Sequence, residues 1–245
     1  MASDRMLRWL CWGLVVVAVI SAVSQLLLTF NIWAGGPSEP PEGADLIARL
    51  EIFRANDQEI WGLVLVGSIA SLIAFALVGL IGVLLRAYSA AGSTRDVMVT
   101  LLVMAAIVGV LSQLASLATS QVAAGGYCDC GFKTEELIGQ AYALNLGNTI
   151  FVWTVNAAFV LTGLGVWLAG RLVNVSNLWR MLSYLIAVAL IATAVVRIAL
   201  PIFFLPEELF QITDIVSGLT LAVLVPIWAI LLTRDGSMMS RTTAA

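Results

Sequence analysis

Residues 97–122 read VMVTLLVMAAIVGVLSQLASLATSQV, a run of 26 residues without a charged side chain. At a rise of about 1.5 Å per residue, some 20 helical residues cross the roughly 30 Å hydrocarbon layer of a bilayer. This run is therefore long enough and apolar enough to span a membrane. Five further runs of similar character flank it, and the six predicted spans cover about 7–33, 60–85, 97–122, 148–168, 178–204 and 210–232.

The composition also indicates a membrane protein, since 61% of the 245 residues are hydrophobic and only 11% are charged. Mean hydropathy is +1.01, which excludes an ordinary soluble domain. None of the six runs alternates polar and apolar residues as a barrel strand does. The sequence thus predicts an all-α polytopic bundle of six transmembrane helices forming one domain, 1–245. Gly79 with Gly82, and Gly163 with Gly165, predict close helix packing within it.

Basic residues set the orientation, because loops rich in Lys and Arg stay in the cytoplasm. With both termini cytoplasmic, the inner side collects Arg5, Arg8, Arg86, Arg95, Arg171, Arg180, Arg234 and Arg241, and the outer side only Arg49, Arg54 and Lys133. We therefore expect a multi-pass protein of a plasma or inner membrane, in contact with the lipid bilayer. No basic patch interleaved with aromatic residues is present, so nucleic acid is not an expected partner.

The two sizeable outer loops are predicted at 35–59 and 123–147. In the first, apolar residues spaced by three and four within 44–56 fit a short amphipathic surface helix, although a simple connector fits equally well. The first span also resembles a signal peptide, with a tolerable cleavage site at Ala22-Val23-Ser24. Its apolar stretch continues to Phe30, longer than a removable hydrophobic region usually is, which favours a retained span.

Tryptophans cluster near the predicted ends of the spans and fit the role of interface anchors. Those predicted at the inner interface are Trp9, Trp12, Trp167, Trp179 and Trp228, and those at the outer one are Trp33, Trp61 and Trp153.

Polar side chains recur in the outer half of every span, whereas the matching inner level is almost wholly apolar. They are Gln25, Ser68, Gln113, Asn156, Arg197 and Asp214. Charges inside a bilayer are costly, and Arg197 and Asp214 lie at matching depth on consecutive antiparallel spans, which predicts an ion pair. Because polar groups facing lipid would lack partners, we expect the layer to converge inside the bundle. It forms either a closed hydrogen-bonded network or an outward-facing pocket for a small polar or anionic ligand.

Cysteine chemistry offers a second candidate site. Cys128 and Cys130 flank Asp129 in an outer loop, where they form a strained disulfide, a redox-active pair or free thiols. Two thiolates without nearby His or Met make a poor metal set, and the chain contains no histidine. No phosphate-binding loop, zinc-protease motif or nucleophile elbow is present. We therefore expect no metal, no cofactor and no enzymatic activity, with thiol redox chemistry as the exception left open.

Short motifs mark the starts of three predicted spans: Arg8 opens the first, Phe53-Arg54 precedes the second, and Leu178, Arg180 and Leu182 open the fifth. These motifs resemble a group of bacterial six-span proteins known as domain of unknown function 4386. The chain departs from that group at Trp179, where such proteins often carry proline, and in its Cys-Asp-Cys loop. The resemblance implies a six-span bacterial membrane protein and no established activity.

Three functions remain open from the sequence. The first is a transporter-like or sensory component that binds a small ligand at the outer polar layer. The second is a structural or assembly subunit that packs against a membrane protein partner. The third is a membrane thiol oxidoreductase that uses Cys128 and Cys130.

Overall fold

A computed structural model of the chain describes residues 2–30, 43, 46–89, 91–123, 134–203 and 208–242. Within these residues the fold is helical apart from one isolated bridge between Ser89 and Val173. The helices are α1 (Ala2–Thr29), α2 (Leu46–Leu85), α3 (Ser93–Ala123), α4 (Thr134–Leu172), α5 (Asn177–Phe203), α6 (Glu208–Leu219) and α7 (Val225–Thr242). A 3₁₀ turn, Arg86–Tyr88, follows α2, and a π-helical turn, Thr220–Leu224, joins α6 to α7.

The six-span prediction is confirmed. In the described part of the chain, six helical segments are long and apolar enough to cross a membrane: Asp4–Leu28, Gln58–Tyr88, Ser93–Gln121, Asn145–Leu172, Asn177–Ala199 and Ile212–Arg234. The last segment combines α6, the π turn and α7, and we call it the sixth span.

Two helices are much longer than a membrane is thick. With 40 and 39 residues, α2 and α4 are each about 60 Å long, roughly twice the hydrocarbon thickness. Both begin well before their apolar segments, inside the ranges predicted as outer loops, 35–59 and 123–147. Residues 46–56 are helical, but they are a continuous extension of α2 and not the separate short surface helix or the simple connector that the sequence suggested.

The spans pack in chain order around a closed ring. Each helix from α1 to α5 lies against the next, and the sixth span packs against both α5 and α1. This up-and-down arrangement follows from short connections between antiparallel neighbours. It leaves an axis on which side chains from all six spans can meet.

Glycines bring α2, α3 and α4 close together, as the sequence predicts. A Cβ on Gly79 would lie 2.6 Å from the Cβ of Ala106, and one on Gly82 would lie 2.7 Å from the Cβ of Leu102. A Cβ on Gly165 would approach Leu102 from the other side, at 2.6 Å from its Cδ2. Leu102 thus fills the space beside Gly82 and Gly165.

Large side chains pack together at the end of the bundle that is predicted to be cytoplasmic. Leu85, Met98, Trp179 and Leu232 are fully buried there. Trp179 stacks on Trp228 with ring centroids 5.4 Å apart, and Trp228 Nε1 donates a 2.8 Å hydrogen bond to Ser183 Oγ. The axis is therefore closed toward the ends of the spans predicted to be cytoplasmic.

The prediction that Trp179 and Trp228 are interface anchors is wrong, since they are only 0% and 5% exposed. Both spans are apolar around most of their circumference, so the sequence does not reveal which side faces the core. Trp9, Trp12, Trp153 and Trp167 are exposed and Trp61 is half-buried, while Trp33 lies outside the described residues.

Candidate binding site on the bundle axis

A cavity lies on the axis of the ring, from about the middle of the spans toward their predicted outer ends, and every span contributes to its wall. The space open to the centres of water-sized spheres is about 60 Å³. Since roughly 10 to 15 Å³ suffices for one water molecule, this space holds several waters or a small organic group. Its wall consists of Leu14, Ala18, Ser21, Gln25, Ser71, Ala74, Phe75, Val78, Gln113, Val155, Phe159, Thr162, Leu190, Leu221 and Val225. We call this space the outer chamber.

Small side chains explain why the axis is empty at this level. On α1, positions 14, 18, 21 and 25 share one face because they are spaced by four, three and four residues. Two of them, Ala18 and Ser21, are small, and α2 presents Ser71 and Ala74 to the same space. The bulky residues that close the axis lie nearer the other end of the helices.

The sixth span changes its helical geometry beside the outer chamber. In the π turn Thr220–Leu224, the N–H of Val225 donates to the carbonyl of Thr220, five residues back. The buried Pro226 follows and has no N–H to donate. Leu221 and Val225, from this turn and its end, belong to the chamber wall. Single π turns of this kind occur often at functional sites.

Two residues of the predicted polar layer line the outer chamber. They are Gln25 on α1 and Gln113 on α3. Gln113 is only 6% exposed. Among the described residues neither carboxamide has a hydrogen-bond partner, and no hydrogen bond links Gln25, Ser68, Gln113 and Asn156 to one another. These side chains therefore do not form a closed network within the described chain.

The other two neutral residues of the layer are buried away from the chamber wall. Ser68 is 7% exposed, and Asn156 is fully buried with neither amide atom hydrogen-bonded within the described residues. The serine of α2 that faces the chamber is Ser71, one turn further in, whose hydroxyl lies 2.6 Å from that of Ser21. This bond ties α1 to α2 at the level of the chamber.

The ion pair predicted between Arg197 and Asp214 is present on the seam between α5 and α6. Arg197 Nε also donates to Thr213 Oγ1, and its Nη2 donates to Ser217 Oγ, both at 3.2 Å. The guanidinium carbon lies 5.9 Å from the centre of the Phe159 ring, which is part of the chamber wall. Arg197 is 13% exposed and Asp214 43%, so the cation is the buried member of the pair.

The thiol site predicted at Cys128 and Cys130 lies outside the described residues. Cys11 is buried in the inner half of the bundle as a free thiol. In the part of the chain that the structure describes, no three His, Cys, Asp or Glu residues cluster as metal ligands would.

Three polar residues of the chamber, Ser21, Ser71 and Thr162, were not singled out from the sequence. A signal exists for Ser21, which lies four residues before Gln25 and so on the same helix face. Thr162 is 8% exposed, and its hydroxyl has no hydrogen-bond partner within the described residues. No comparable sequence pattern indicates Thr162, which is a single threonine in an apolar run.

The chain matches no family model, no curated protein and no solved structure. Membership of the six-span group that the sequence resembles therefore stays a proposal.

Proposed function

We propose that this protein is a transporter-like or sensory membrane component that binds a small polar ligand in the outer chamber. The observation that carries this proposal is a pair of carboxamides, Gln25 and Gln113, on the wall of a cavity at the centre of the bundle, neither of which has a hydrogen-bond partner among the described residues. Gln113 is 6% exposed and Gln25 is half-buried, and polar side chains at such positions normally make hydrogen bonds to protein, to water or to a ligand. Both carboxamides are therefore available to a ligand in the chamber.

An uncharged ligand fits this wall better than an anionic one. The chamber wall, all of it in described residues, contains no charged side chain. The nearby cation, Arg197, is already paired with Asp214 and hydrogen-bonded to Thr213 and Ser217. A buried anion would need a free cation or several donors to offset its desolvation.

The position of the chamber supports entry of a ligand from the predicted outer side. Gln25 lies four residues before the end of α1, about 6 Å along the helix, whereas the opposite end of the axis is filled by Trp179 and Trp228. Entry from that side would distinguish a ligand-binding protein from a purely structural subunit.

The test is the reactivity of a cysteine at position 113 in a variant that lacks the native cysteines. We expect Gln113→Cys to react with a small, charged, membrane-impermeant methanethiosulfonate added from the outer side, because a thiolate forms readily only in contact with water. The matched control is Leu114→Cys, which replaces a side chain that is 49% exposed on the lipid-facing surface of the same helix.

We expect Gln113→Cys to react at least about tenfold faster than Leu114→Cys. Equal rates at the two positions, or reaction at 113 only from the cytoplasmic side, would contradict the proposed function and favour a structural subunit.

A further inference from the structure

A second, smaller cavity adjoins the outer chamber along the axis. It has a volume of about 30 Å³ and shares Leu14, Val78, Thr162 and Val225 with the outer chamber. Its remaining wall is formed by Ile81, Leu102, Val166, Ile186 and Trp228, which lie nearer the filled end of the bundle. We call it the inner chamber.

The two chambers differ in polarity. The outer one presents the hydroxyls of Ser21 and Ser71 and the carboxamides of Gln25 and Gln113. The inner one is walled by aliphatic side chains and by the Trp228 ring, whose N–H is already bonded to Ser183. The only other polar atom on its wall is the Thr162 hydroxyl. Apolar cavities of this kind accept apolar groups rather than water.

Thr162 lies where the chambers meet. Threonines in membrane helices usually bond back to a carbonyl of the preceding turn, as Thr119, Thr154 and Thr220 do here. The Thr162 hydroxyl instead has no partner among the described residues and is nearly buried. Gln113 likewise has no hydrogen-bond partner among the described residues, so Thr162 and Gln113 are both available to a ligand.

We infer that the ligand is an uncharged amphipathic molecule, with its hydrogen-bonding head between Gln25 and Gln113 and its apolar chain running past Thr162 into the inner chamber. This inference rests on the proposed function and names the class of ligand. The head must be uncharged, because neither chamber wall contains a charge that would offset its desolvation. The chain must be apolar, because the inner wall offers almost no hydrogen bonds.

The probes are acetamide, butyramide and hexanamide, whose heads match carboxamide partners and whose chains increase in length. Apparent affinity follows from the rise of the thermal unfolding midpoint of the full chain in lipid nanodiscs as the amide concentration increases. We expect about fourfold tighter binding per added methylene until the inner chamber is filled. Hexanoate and hexylammonium should bind at least about tenfold more weakly than hexanamide.

The decisive variant is Val166→Phe, which fills the inner chamber from α4. Its matched control is Leu164→Phe, which adds the same bulk at a position 43% exposed toward lipid. We expect Val166→Phe to bind acetamide as the unmodified chain does but to lose the gain with chain length, and Leu164→Phe to keep it. All variants share one lipid, so partition of the amides into the bilayer is equal. If Val166→Phe does not fold, Val166→Leu replaces it in the test. Leucine adds less volume at the same position, so we expect a smaller loss of the gain with chain length.

Three results would overturn the inference. One is a chain-length gain that is the same in Val166→Phe and Leu164→Phe, and another is hexanoate binding as tightly as hexanamide. The third is that no amide binds although Gln113→Cys reacts from outside. In all three the proposed function survives, whereas an unreactive Gln113→Cys would remove the proposed function itself.

Discussion

We expect Asp214→Ala to lower the free energy of unfolding by about 3 kcal/mol and Arg197→Ala to lower it by only about 1 kcal/mol. The asymmetry follows from burial. Removing Asp214 leaves the guanidinium, 13% exposed, with two hydroxyl partners and no counter-charge among the described residues. Removing Arg197 leaves a carboxylate that is 43% exposed and lies two residues inside the sixth span. Such a carboxylate can be hydrated, so its cost is smaller.

Reversible unfolding in mixed detergent micelles measures these differences. Replacing both partners with apolar residues, Arg197→Met with Asp214→Leu, should recover most of the loss, because no uncompensated charge remains. The matched control is Arg86→Ala, which breaks an ion pair to Asp96 at 3.2 Å whose partners are both more than half exposed. That change should cost less than about 1 kcal/mol. A larger loss for Arg197→Ala than for Asp214→Ala would contradict this description of the pair.

We expect Gly79→Ala to lower the free energy of unfolding by about 2 kcal/mol, although alanine is the better helix former. The added methyl would lie 2.6 Å from the Cβ of Ala106, too close for two atoms that are fixed by their backbones. α2 and α3 must therefore move apart, which weakens the packing between these two helices.

Two variants separate this steric cost from a general effect of the substitution. Ala106→Gly combined with Gly79→Ala restores the missing space, and it should recover part of the stability. Gly62→Ala, on the same helix with nothing within 4 Å of the new Cβ, should be neutral or slightly stabilising. If Gly79→Ala were as stable as Gly62→Ala, the helices would not be in the close contact described here.

The sequence predicts the features that depend on depth along the spans. Arg197 and Asp214 lie at equal depth on consecutive antiparallel helices joined by a short connection, so their pairing follows from position alone. The close packing at Gly79 and Gly82 likewise follows from the small size of glycine in a membrane helix.

Features that depend on the rotation of a helix about its own axis are harder to predict from the sequence. Ser68 and Ser71 are three residues apart, and only the helix orientation decides that Ser71 faces the chamber. The same uncertainty led to the wrong expectation for Trp179 and Trp228, because an apolar helix shows no preferred side. The cavity is harder still to predict, since it reflects the combined volumes of side chains from six helices.

The stability of Gln113→Leu tests most directly whether the outer polar residues surround a cavity. If Gln113 has no partner within the protein, replacing it should change the free energy of unfolding by no more than about 1 kcal/mol, in either direction. Unfolding in mixed micelles, with Leu114→Ala as a lipid-facing reference, provides the measurement. A loss of more than about 2 kcal/mol would mean that Gln113 belongs to a closed hydrogen-bonded network, and it would contradict a ligand chamber on the bundle axis.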